Sequence, residues 1–219
     1  MNNFIEIPAS KKSIAFRNPI YGVGINDADY MVKPVINGKK STCPYYQSWV
    51  SMIKRCYSHK LHARFPTYKD CSVTKDWLNF SVFREWMKGQ DWEGRQLDKD
   101  ILIPENKEYG PNTCIFIGGA INSLLSDHAA KRGDFPQGVC FHKLTGKYRS
   151  YCKVNGKQKH LGLFTAIEPA EHAYLTFKSY LVRQIALEQE ASGNPKLQTA
   201  LVRHAELLMN KADAIDNET

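Results

Sequence analysis

Residues 97–122 read LDKDILIPENKEYGPNTCIFIGGAIN, and the rest of the chain is interpreted around this stretch. Two acidic residues, Asp98 and Asp100, open a short apolar run at Ile101–Ile103. A polar turn rich in Pro, Asn and Gly follows. A second apolar run, Cys114–Ile117, then meets a segment with a helical pattern. The stretch therefore predicts strand, turn, strand and helix, with acids at its start and an asparagine on the helix.

The composition is typical of a basic globular protein. Hydrophobic residues make up 42% of the 219 residues, which is enough for a packed core, and the formal net charge is +8. This charge favours a polyanionic partner. No apolar run reaches the roughly 18 to 20 residues of a transmembrane helix, and the N-terminus lacks a secretory signal pattern. We therefore expect a cytoplasmic protein without a membrane partner.

Six cysteines are scattered along the chain, and none forms a C-x-x-C pair. In a cytoplasmic protein this spacing favours free buried thiols over disulfides. A zinc site is the alternative, although its ligand spacing would be irregular. Its ligands would be some of Cys43, Cys56, Cys71 and Cys114 together with His59 or His62.

The periodicity predicts an α+β fold class built from several small modules. All four tryptophans lie in one region, where apolar residues at helical spacing predict helices at about 45–57 and 75–88. We interpret these aromatic side chains as core rather than as a platform for stacking bases. The predicted modules are an N-terminal arm at 1–42, a helical aromatic-rich module at 43–96, a ββα unit at 97–130, a three-stranded antiparallel sheet plus helix at 136–188 and a C-terminal helix at 196–212.

The sheet of the fourth module is predicted strand by strand. Val139–His142 is the first strand, Tyr148–Val154 alternates in hydrophobicity, and Lys157–Phe164 is the third strand. Asn155-Gly156 joins the last two strands and is a strong hairpin signal, because both residues tolerate positive φ. A long helix with one apolar face follows the sheet.

Basic side chains are concentrated on this predicted sheet. Arg149, Tyr151 and Lys153 share one face of the second strand, since side chains alternate along a strand. A β-ribbon can enter the major groove of DNA, where arginine and lysine pair with guanine edges. The alternative is a charged sheet face that is only solvated.

Residues 136–188 resemble the plant ethylene-response-factor (Apetala-two) DNA-binding domain, in the form found beside phage and mobile-element nucleases. The matching pieces are Gly138-Val139, Gly146-Lys147-Tyr148, the basic strand to Lys153, Leu161-Gly162-x-Phe164 and Glu171-x-Ala173-Tyr174. The resemblance implies that the sheet lies in the major groove. The first strand departs from the arginine-rich pattern of plant members, so target preference is not carried over. The DNA contacts implied by position are His142, Lys143, Lys147, Arg149, Tyr151, Lys153, Lys157 and Lys159.

Residues 97–122 are similar to the HNH nucleases of phages, particularly homing endonucleases that pair this module with such a DNA-binding domain. The segments CPYYQSWVSMIKRCY at 43–57 and VTKDWLNFSVFREW at 73–86 also resemble the leader of those proteins. The resemblance implies hydrolysis of phosphodiester bonds with one divalent metal, Mg²⁺ or Mn²⁺. The implied metal ligands are Asp98, Asp100 and Asn122.

The resemblance also implies a histidine base beside the first acid and a central asparagine that orients it. Here the residue after the acid is Lys99 or Ile101, and an ordinary ammonium is a poor base. Lys99 could stabilise phosphate instead, and a histidine beyond the metal-binding asparagine, His128, could act as base or be a surface residue. The catalytic candidates are Asp98, Lys99, Asn106 and His128.

The sequence thus predicts a sequence-targeted endonuclease of double-stranded DNA, acting in the host cytoplasm if it is phage-encoded and with nicking as one possible mode. The alternative is a non-catalytic DNA-binding protein in which a degenerate HNH unit survives as scaffold. A third interpretation is a binder of structured RNA. The sequence does not fix the oligomeric state, and a monomer is preferred.

Overall fold

The chain mixes helices and sheets, as an α+β class requires. The computed structural model describes residues 4–126 and 133–217. These residues form two compact units, of which the first ends at Gly118 and the second begins at Gly119. The boundary falls inside the predicted ββα unit, so that its strands belong to the first unit and its helix belongs to the second.

The first unit is built from short elements joined by turns. Its helices are α1 (Lys11–Ala15), α2 (Pro44–Tyr57), α3 (His59–Arg64) and α4 (Phe80–Lys88). Its strands are β1 (Val35–Ile36), β2 (Lys39–Lys40), β3 (Ser72–Val73), β4 (Arg95–Asp98), β5 (Glu108–Tyr109) and β6 (Ile115–Gly118). β1 pairs with β2 and β4 with β6 in antiparallel fashion, whereas β3 and β5 are parallel.

An aromatic core holds the first unit together. Trp49 of α2 is fully buried, and its indole N–H donates to the carbonyl of Trp77 at 2.7 Å. The rings of Trp49 and Phe80 lie 5.5 Å apart. The interpretation of these aromatic residues as core is confirmed. Ala28 and Tyr30, from the predicted N-terminal arm, belong to the same core.

The two helices predicted in the aromatic-rich region have different outcomes. α2 confirms the first helix. The second, predicted at 75–88, is wrong as a continuous helix, because a 3₁₀ turn at Lys75–Leu78 precedes α4. The backbone of Ile25 causes the break, since it donates to the carbonyl before Asn79 and accepts from the N–H after it. Asn79 is therefore held in an extended conformation.

The strands of the ββα unit also differ from their prediction. Ile101–Ile103 form a turn rather than a strand, and the acids lie at the end of β4 rather than at the start of a strand. The carboxylate of Asp98 accepts the N–H groups of Asp100 at 2.9 Å and Ile101 at 2.8 Å, which turns the chain away from the sheet. β6 confirms the second predicted strand, Cys114–Ile117, with a shift of one residue.

The second unit contains a sheet and long helices. Its elements are α5 (Gly119–Leu125), β7 (Val139–His142), β8 (Lys147–Val154), β9 (Lys157–Phe164), α6 (Ile167–Ala191) and α7 (Pro195–Asn217). The strands form one antiparallel sheet in the order β7-β8-β9, which confirms the three predicted strands. The long helix and the C-terminal helix are confirmed as well. In the part of the chain that the structure describes, no helix is long and apolar enough to cross a membrane.

One face of the sheet is buried against α6. Ser150 and Cys152 of β8 point to this side and are at most 3% exposed. Gly138, just before β7, has φ 78°, and a Cβ there would meet the ring of Tyr174 at 2.1 Å. A glycine is therefore required for both its backbone conformation and the close approach of α6.

α6 and α7 pack along each other as a helical hairpin. Ser179 of α6 is buried, and its hydroxyl donates to the carbonyl of Ala205 at 2.8 Å. His204 of α7 faces the charge of Lys178, and its Nε2 is buried without a hydrogen-bond partner among the described residues. Burial next to a positive charge favours the neutral form of the imidazole.

We expect the stability of the second unit to fall as the pH is lowered because of His204. Burial, and then the charges of Lys178, Lys211 and Arg203, lower the pKa of His204 from 6.5 to about 4. The unfolded chain therefore binds more protons than the folded chain between about pH 4 and 6.5. The stabilisation is complete above the unfolded pKa and is lost progressively as the pH falls through this window.

Thermal denaturation between about pH 7.5 and 4 measures this dependence. His204→Gln should flatten the curve within the window. His160→Gln, which changes an exposed residue of β9, is the matched control and should leave the curve unchanged. An equally steep loss of stability in His204→Gln would contradict the assignment.

Candidate functional site

The loop after β4 holds the acids that the sequence singled out. Asp98 is half buried, and one of its carboxylate oxygens accepts both of the N–H groups that form the turn. Burial raises the pKa of the Asp98 carboxyl above its ordinary value, while hydrogen bonds from the N–H groups of Ile101 and Asp100 oppose that shift. The orientation of the Asp98 carboxylate is therefore fixed by the backbone N–H groups of Asp100 and Ile101.

The side chain of Lys99 lies inside this loop and is only 5% exposed. Its ammonium donates to the carbonyl of Asn106 at 2.7 Å and to the carboxylate of Asp100. It also lies 5.9 Å from the centre of the Tyr109 ring. Lysine is almost never buried without such partners, because an unpaired charge is costly to remove from water. Lys99 therefore neutralises Asp100 and connects the two sides of the loop.

Asn106 closes the loop through its amide. Its Nδ2 donates to the carbonyls of Lys99 at 2.9 Å and Glu108 at 2.7 Å. Its Oδ1 accepts the N–H of Glu108 at 3.1 Å. The resemblance gave the central asparagine the role of orienting a neighbouring side chain. In this chain the amide is bonded to the backbone on either side of the loop.

A second cation beside the loop was missed by sequence reasoning. The guanidinium of Arg55, on α2, donates to the carbonyl of Leu97 at 3.2 Å and to the hydroxyl of Tyr109 at 3.4 Å. The carboxylate of Asp98 also attracts it. No local pattern identifies the role of Arg55, because its partners lie far away in the sequence.

These residues do not fit a divalent metal as they are arranged. Two carboxylates suit Mg²⁺ as ligands. However, Asp100 is already paired with the ammonium of Lys99, and one oxygen of Asp98 is committed to two backbone N–H groups. A divalent ion at this place would be repelled by a buried positive charge. Asp100 is therefore a partner of Lys99 in this structure, and Asp98 is a partner of the turn that follows it.

The other residues predicted for this site are outside the loop. Asn122 lies on α5 in the second unit, where its carbonyl accepts the hydroxyl of Ser126 at 2.7 Å. His128 lies outside the described residues. Within residues 4–126 and 133–217, no group of three or more His, Cys, Asp or Glu is placed to hold a metal ion.

The cysteines do not offer zinc ligands in the described residues. All six are free thiols. Burial raises the pKa of Cys56 to about 12, and the thiol lies 3.5 Å from the carbonyl of Ser72 as a hydrogen-bond donor. Burial also raises the pKa of Cys71 and that of Cys114, the latter to about 12. Among the described residues, these thiols and the two histidines His59 and His62 do not form a group of three or more that could hold a metal ion, so the alternative zinc site is not assembled in this arrangement.

The second candidate site is the outer face of the sheet, which we define as the face of β7–β9 turned away from α6. Residues paired across neighbouring strands lie on the same face. The outer-face pairs are His142 with Lys147, Cys140 with Arg149, Arg149 with Leu163, Tyr151 with His160, and Lys153 with Gln158. Of the predicted DNA contacts, this face brings together His142, Lys147, Arg149, Tyr151 and Lys153.

Arg149 is at the centre of this surface. Its guanidinium carbon lies 5.2 Å from the centre of the Tyr151 ring, which fixes the direction of the side chain. Its Nε has no hydrogen-bond partner among the described residues. At one end of the surface His142 hydrogen-bonds the hydroxyl of Thr145 at 2.9 Å. Lys143 lies in the exposed turn that follows His142.

Two of the predicted DNA contacts lie on the opposite face. Lys157 pairs with Val154 and Lys159 pairs with Cys152, on the side that α6 covers. The ammonium of Lys159 lies 4.6 Å from the centre of the Phe177 ring on that helix. These two lysines therefore do not belong to the outer face.

The same register identifies two outer-face residues that sequence reasoning missed, Gln158 and His160. The sequence signal that identifies them is the length of the turn between β8 and β9. A two-residue turn at Asn155-Gly156 places Val154 opposite Lys157, which puts every even-numbered residue at the start of β9 on the face of Lys153. Between Tyr151 and Ser150 the register shifts, so this rule does not hold for the part of β9 that pairs with Ser150 and the residues before it.

Comparison of the chain with protein-family models, with curated proteins and with solved structures finds no match. The two family resemblances therefore stay predictions that rest on individual motifs.

We expect Asn106→Ala to lower the free energy of unfolding of the first unit by about 1 to 3 kcal/mol, because three hydrogen bonds are lost, although the Thr113 hydroxyl still donates to the carbonyl of Glu108. Urea denaturation followed by tryptophan fluorescence measures this change, since all four tryptophans lie in the first unit.

Asn112→Ala is the matched control for this prediction. It removes the same amide from an exposed position between β5 and β6, and its effect should stay within about 0.5 kcal/mol. Equal losses of stability in the two variants would mean that the hydrogen bonds of Asn106 do not hold the loop.

Proposed function

We propose that this protein binds double-stranded DNA through the outer face of the β7–β9 sheet. The observation that carries the proposal is the row of Lys147, Arg149, Tyr151 and Lys153 along the side of β8 that faces away from α6. Cations of this kind neutralise phosphates, and arginine together with tyrosine and amide groups offers hydrogen bonds to base edges. The row therefore supports both parts of DNA recognition.

The dimensions of a strand support this mode of binding. Alternate residues of a strand are about 6.7 Å apart, and the bases of one DNA strand rise by about 3.4 Å per step. Each residue of the row would thus advance by about two base pairs. The major groove, about 12 Å wide, admits a two-stranded β-ribbon. Arg149 would reach a guanine edge while Lys147 and Lys153 lie near phosphates.

Duplex RNA is a weaker candidate for the same surface. The major groove of A-form RNA is deep and narrow, so that side chains on a sheet cannot reach base edges there. The outer face offers a continuous surface rather than single projecting side chains. The structured-RNA interpretation therefore ranks below DNA, and a competition experiment distinguishes the two.

For the whole chain we propose the arrangement that the resemblances imply, namely an HNH-like segment at β4–β6 followed by a DNA-binding domain made of the sheet and α6. In this proposal the HNH-like segment serves as scaffold. Lys99 supports the scaffold role, because its buried ammonium pairs with the acid that would otherwise be available to a metal ion.

A metal-dependent DNA endonuclease, with Mg²⁺ or Mn²⁺ as cofactor, is the second candidate function. The observation that favours it is the grouping of Asp98, Asp100 and Asn106 in one loop at the end of β4. The arrangement of Lys99 weighs against it. The endonuclease therefore ranks second to DNA binding without cleavage.

We expect the double variant Arg149→Ala/Lys153→Ala to bind DNA more weakly, by about 1 to 3 kcal/mol for each base contact removed. The dependence of affinity on salt should also become less steep, because fewer counterions are released when a phosphate contact is lost. The probe is a duplex selected from a random library with the wild-type protein. Fluorescence anisotropy at several NaCl concentrations gives both quantities.

Lys157→Ala/Lys159→Ala is a charge-matched control for this experiment. It removes the same number of positive charges from the face that α6 covers, and it should retain most of the affinity. A thermal melt verifies that the fold tolerates the loss of Lys159 from Phe177. Equal losses of affinity in the two double variants would contradict the proposal, and so would displacement of the DNA by an equal concentration of duplex RNA.

For catalysis we expect no metal-dependent nicking of supercoiled plasmid by the wild-type protein, because Lys99 is paired with Asp100. Agarose electrophoresis after incubation with Mg²⁺ or Mn²⁺ detects nicking. Asp98→Asn is a suitable control, since an amide oxygen can still accept the two N–H groups of the turn. Nicking by the wild type that disappears in Asp98→Asn and Asn122→Ala would establish the endonuclease instead.

A further inference from the structure

A cleft of about 700 Å³ opens in the first unit beside α3, and neither candidate site uses it. Its lining combines aromatic rings with basic groups. The residues that carry these groups are Tyr21, Tyr57, His59, His62 and Lys69. No acidic residue lines the cleft among the described residues. The ligand that suits such a lining has an aromatic part and a negative charge.

The chain around the cleft is positively charged over a long stretch. No Asp or Glu occurs from residue 31 to residue 69, which includes α2 and α3. The Lys and Arg residues of this stretch are Lys33, Lys39, Lys40, Lys54, Arg55, Lys60, Arg64 and Lys69. Of these, Lys69 lines the cleft, and a positive charge in a cleft raises the local concentration of a negatively charged ligand.

Several nitrogen atoms in the cleft are available to such an anion. Nε2 of His62 lies 2.8 Å from the carbonyl of Arg55, so this nitrogen carries a proton and donates it. Nδ1 of His62 is then an acceptor in the neutral imidazole, so the donors left for an anion are those of His59 and Lys69. The ring of His59 lies 6.4 Å from that of His62. Within the described residues, the side chains of His59 and Lys69 form no hydrogen bond or ion pair.

The aromatic edge of the cleft is held in an unusual backbone conformation. Tyr21 has φ 50°, in the left-handed region where a bulky side chain is rare. Two hydrogen bonds between Ile20 and Gly24, at 2.8 and 2.9 Å, fix this turn. A glycine would adopt the conformation without strain. The chain instead places a ring that is 42% exposed at the cleft, and such outliers cluster at ligand-binding sites.

The thiols that line the cleft do not act as ligands for a metal. Cys56 and Cys71 both line it, and each donates to a backbone carbonyl, of Ser72 and Thr67 respectively. They therefore form part of the wall. The remaining groups of the cleft are the rings of the tyrosines, the imidazoles of the histidines and the ammonium of Lys69.

We propose that this cleft binds a nucleotide, with the base stacked on the ring of Tyr21 and the phosphate held by Lys69 and His59. Stacking on an aromatic side chain tolerates any base, because every base has a π-face. The nucleotide is either free or an unpaired nucleotide of a DNA strand, since both present the same chemistry. This site is independent of the outer face of the sheet.

The test uses the full chain carrying Arg149→Ala/Lys153→Ala, so that strand binding at the outer face is weakened. Isothermal titration calorimetry compares three probes, namely dAMP, inorganic phosphate and an unlabelled single-stranded octanucleotide. We expect dAMP to bind at least about fivefold more tightly than phosphate, which is the low end of the energy of stacking one base. An octanucleotide that binds about tenfold more tightly than dAMP identifies the strand as the source, and equal affinities identify the free nucleotide.

Four further substitutions locate the binding. Tyr21→Gly removes the ring without straining the turn and should weaken dAMP binding at least about fivefold, whereas Tyr21→Phe keeps the ring and the affinity. Lys69→Gln should weaken binding by a similar factor. Lys60→Gln removes the same charge from an exposed position of α3 that does not line the cleft, and it should change the affinity less than about twofold.

Three results would overturn the proposal. They are the absence of binding by dAMP and the octanucleotide, equal affinity for dAMP and inorganic phosphate, and equal effects of Lys69→Gln and Lys60→Gln. Because the cleft and the outer face have no residue in common, each of these results leaves the proposed binding of DNA by the sheet unaffected. Loss of that binding is measured separately, in the chain with an intact outer face.

Discussion

The β4–β5 loop of the first unit depends on one buried cation, the ammonium of Lys99. A charge that is 5% exposed is tolerated only where neighbouring groups neutralise it and accept its protons. Asp100 provides the opposite charge and the carbonyl of Asn106 provides the acceptor. Asn106 in turn bonds the backbone of Lys99, so that the loop closes on itself. Asp100, one of the acids predicted to bind a metal, is therefore already the partner of a cation that the chain supplies.

The second unit depends on a different constraint, the strict alternation of side chains along a strand. The short turn between β8 and β9 fixes one register, and this register assigns every charged side chain near it to one face or the other. Lys153 and Gln158 lie on the outer face, whereas Lys159 lies against Phe177 of α6. The density of lysine in the sequence thus overstates the positive charge of the outer face. What remains there is a smaller set centred on Arg149, whose guanidinium lies 5.2 Å from the centre of the Tyr151 ring.

Periodicity was sufficient to predict the elements whose cause is local. β7, β9 and α2 follow from alternation, turn residues and helical spacing. The break at Asn79 could not be predicted, because the backbone of Ile25, far away in the sequence, produces it. The role of Lys99 could not be predicted either. A lysine between two acids normally extends into solvent, and only the folded loop shows that this one is buried.

The distribution of cations supports the proposed binding of DNA more than the proposed cleavage. In the β4–β5 loop the charge of Lys99 is compensated by Asp100, so it stabilises the fold and leaves little net attraction for a phosphate. On the outer face Lys147, Arg149 and Lys153 form no ion pair with the described residues, and neutralising a phosphate with each of them releases counterions. Such binding needs neither a metal ion nor a base with a pKa near neutral. Cleavage would need a metal ion and such a base in the β4–β5 loop, which is organised around the ammonium of Lys99. The arrangement of Lys99 therefore bears on function as well as on stability.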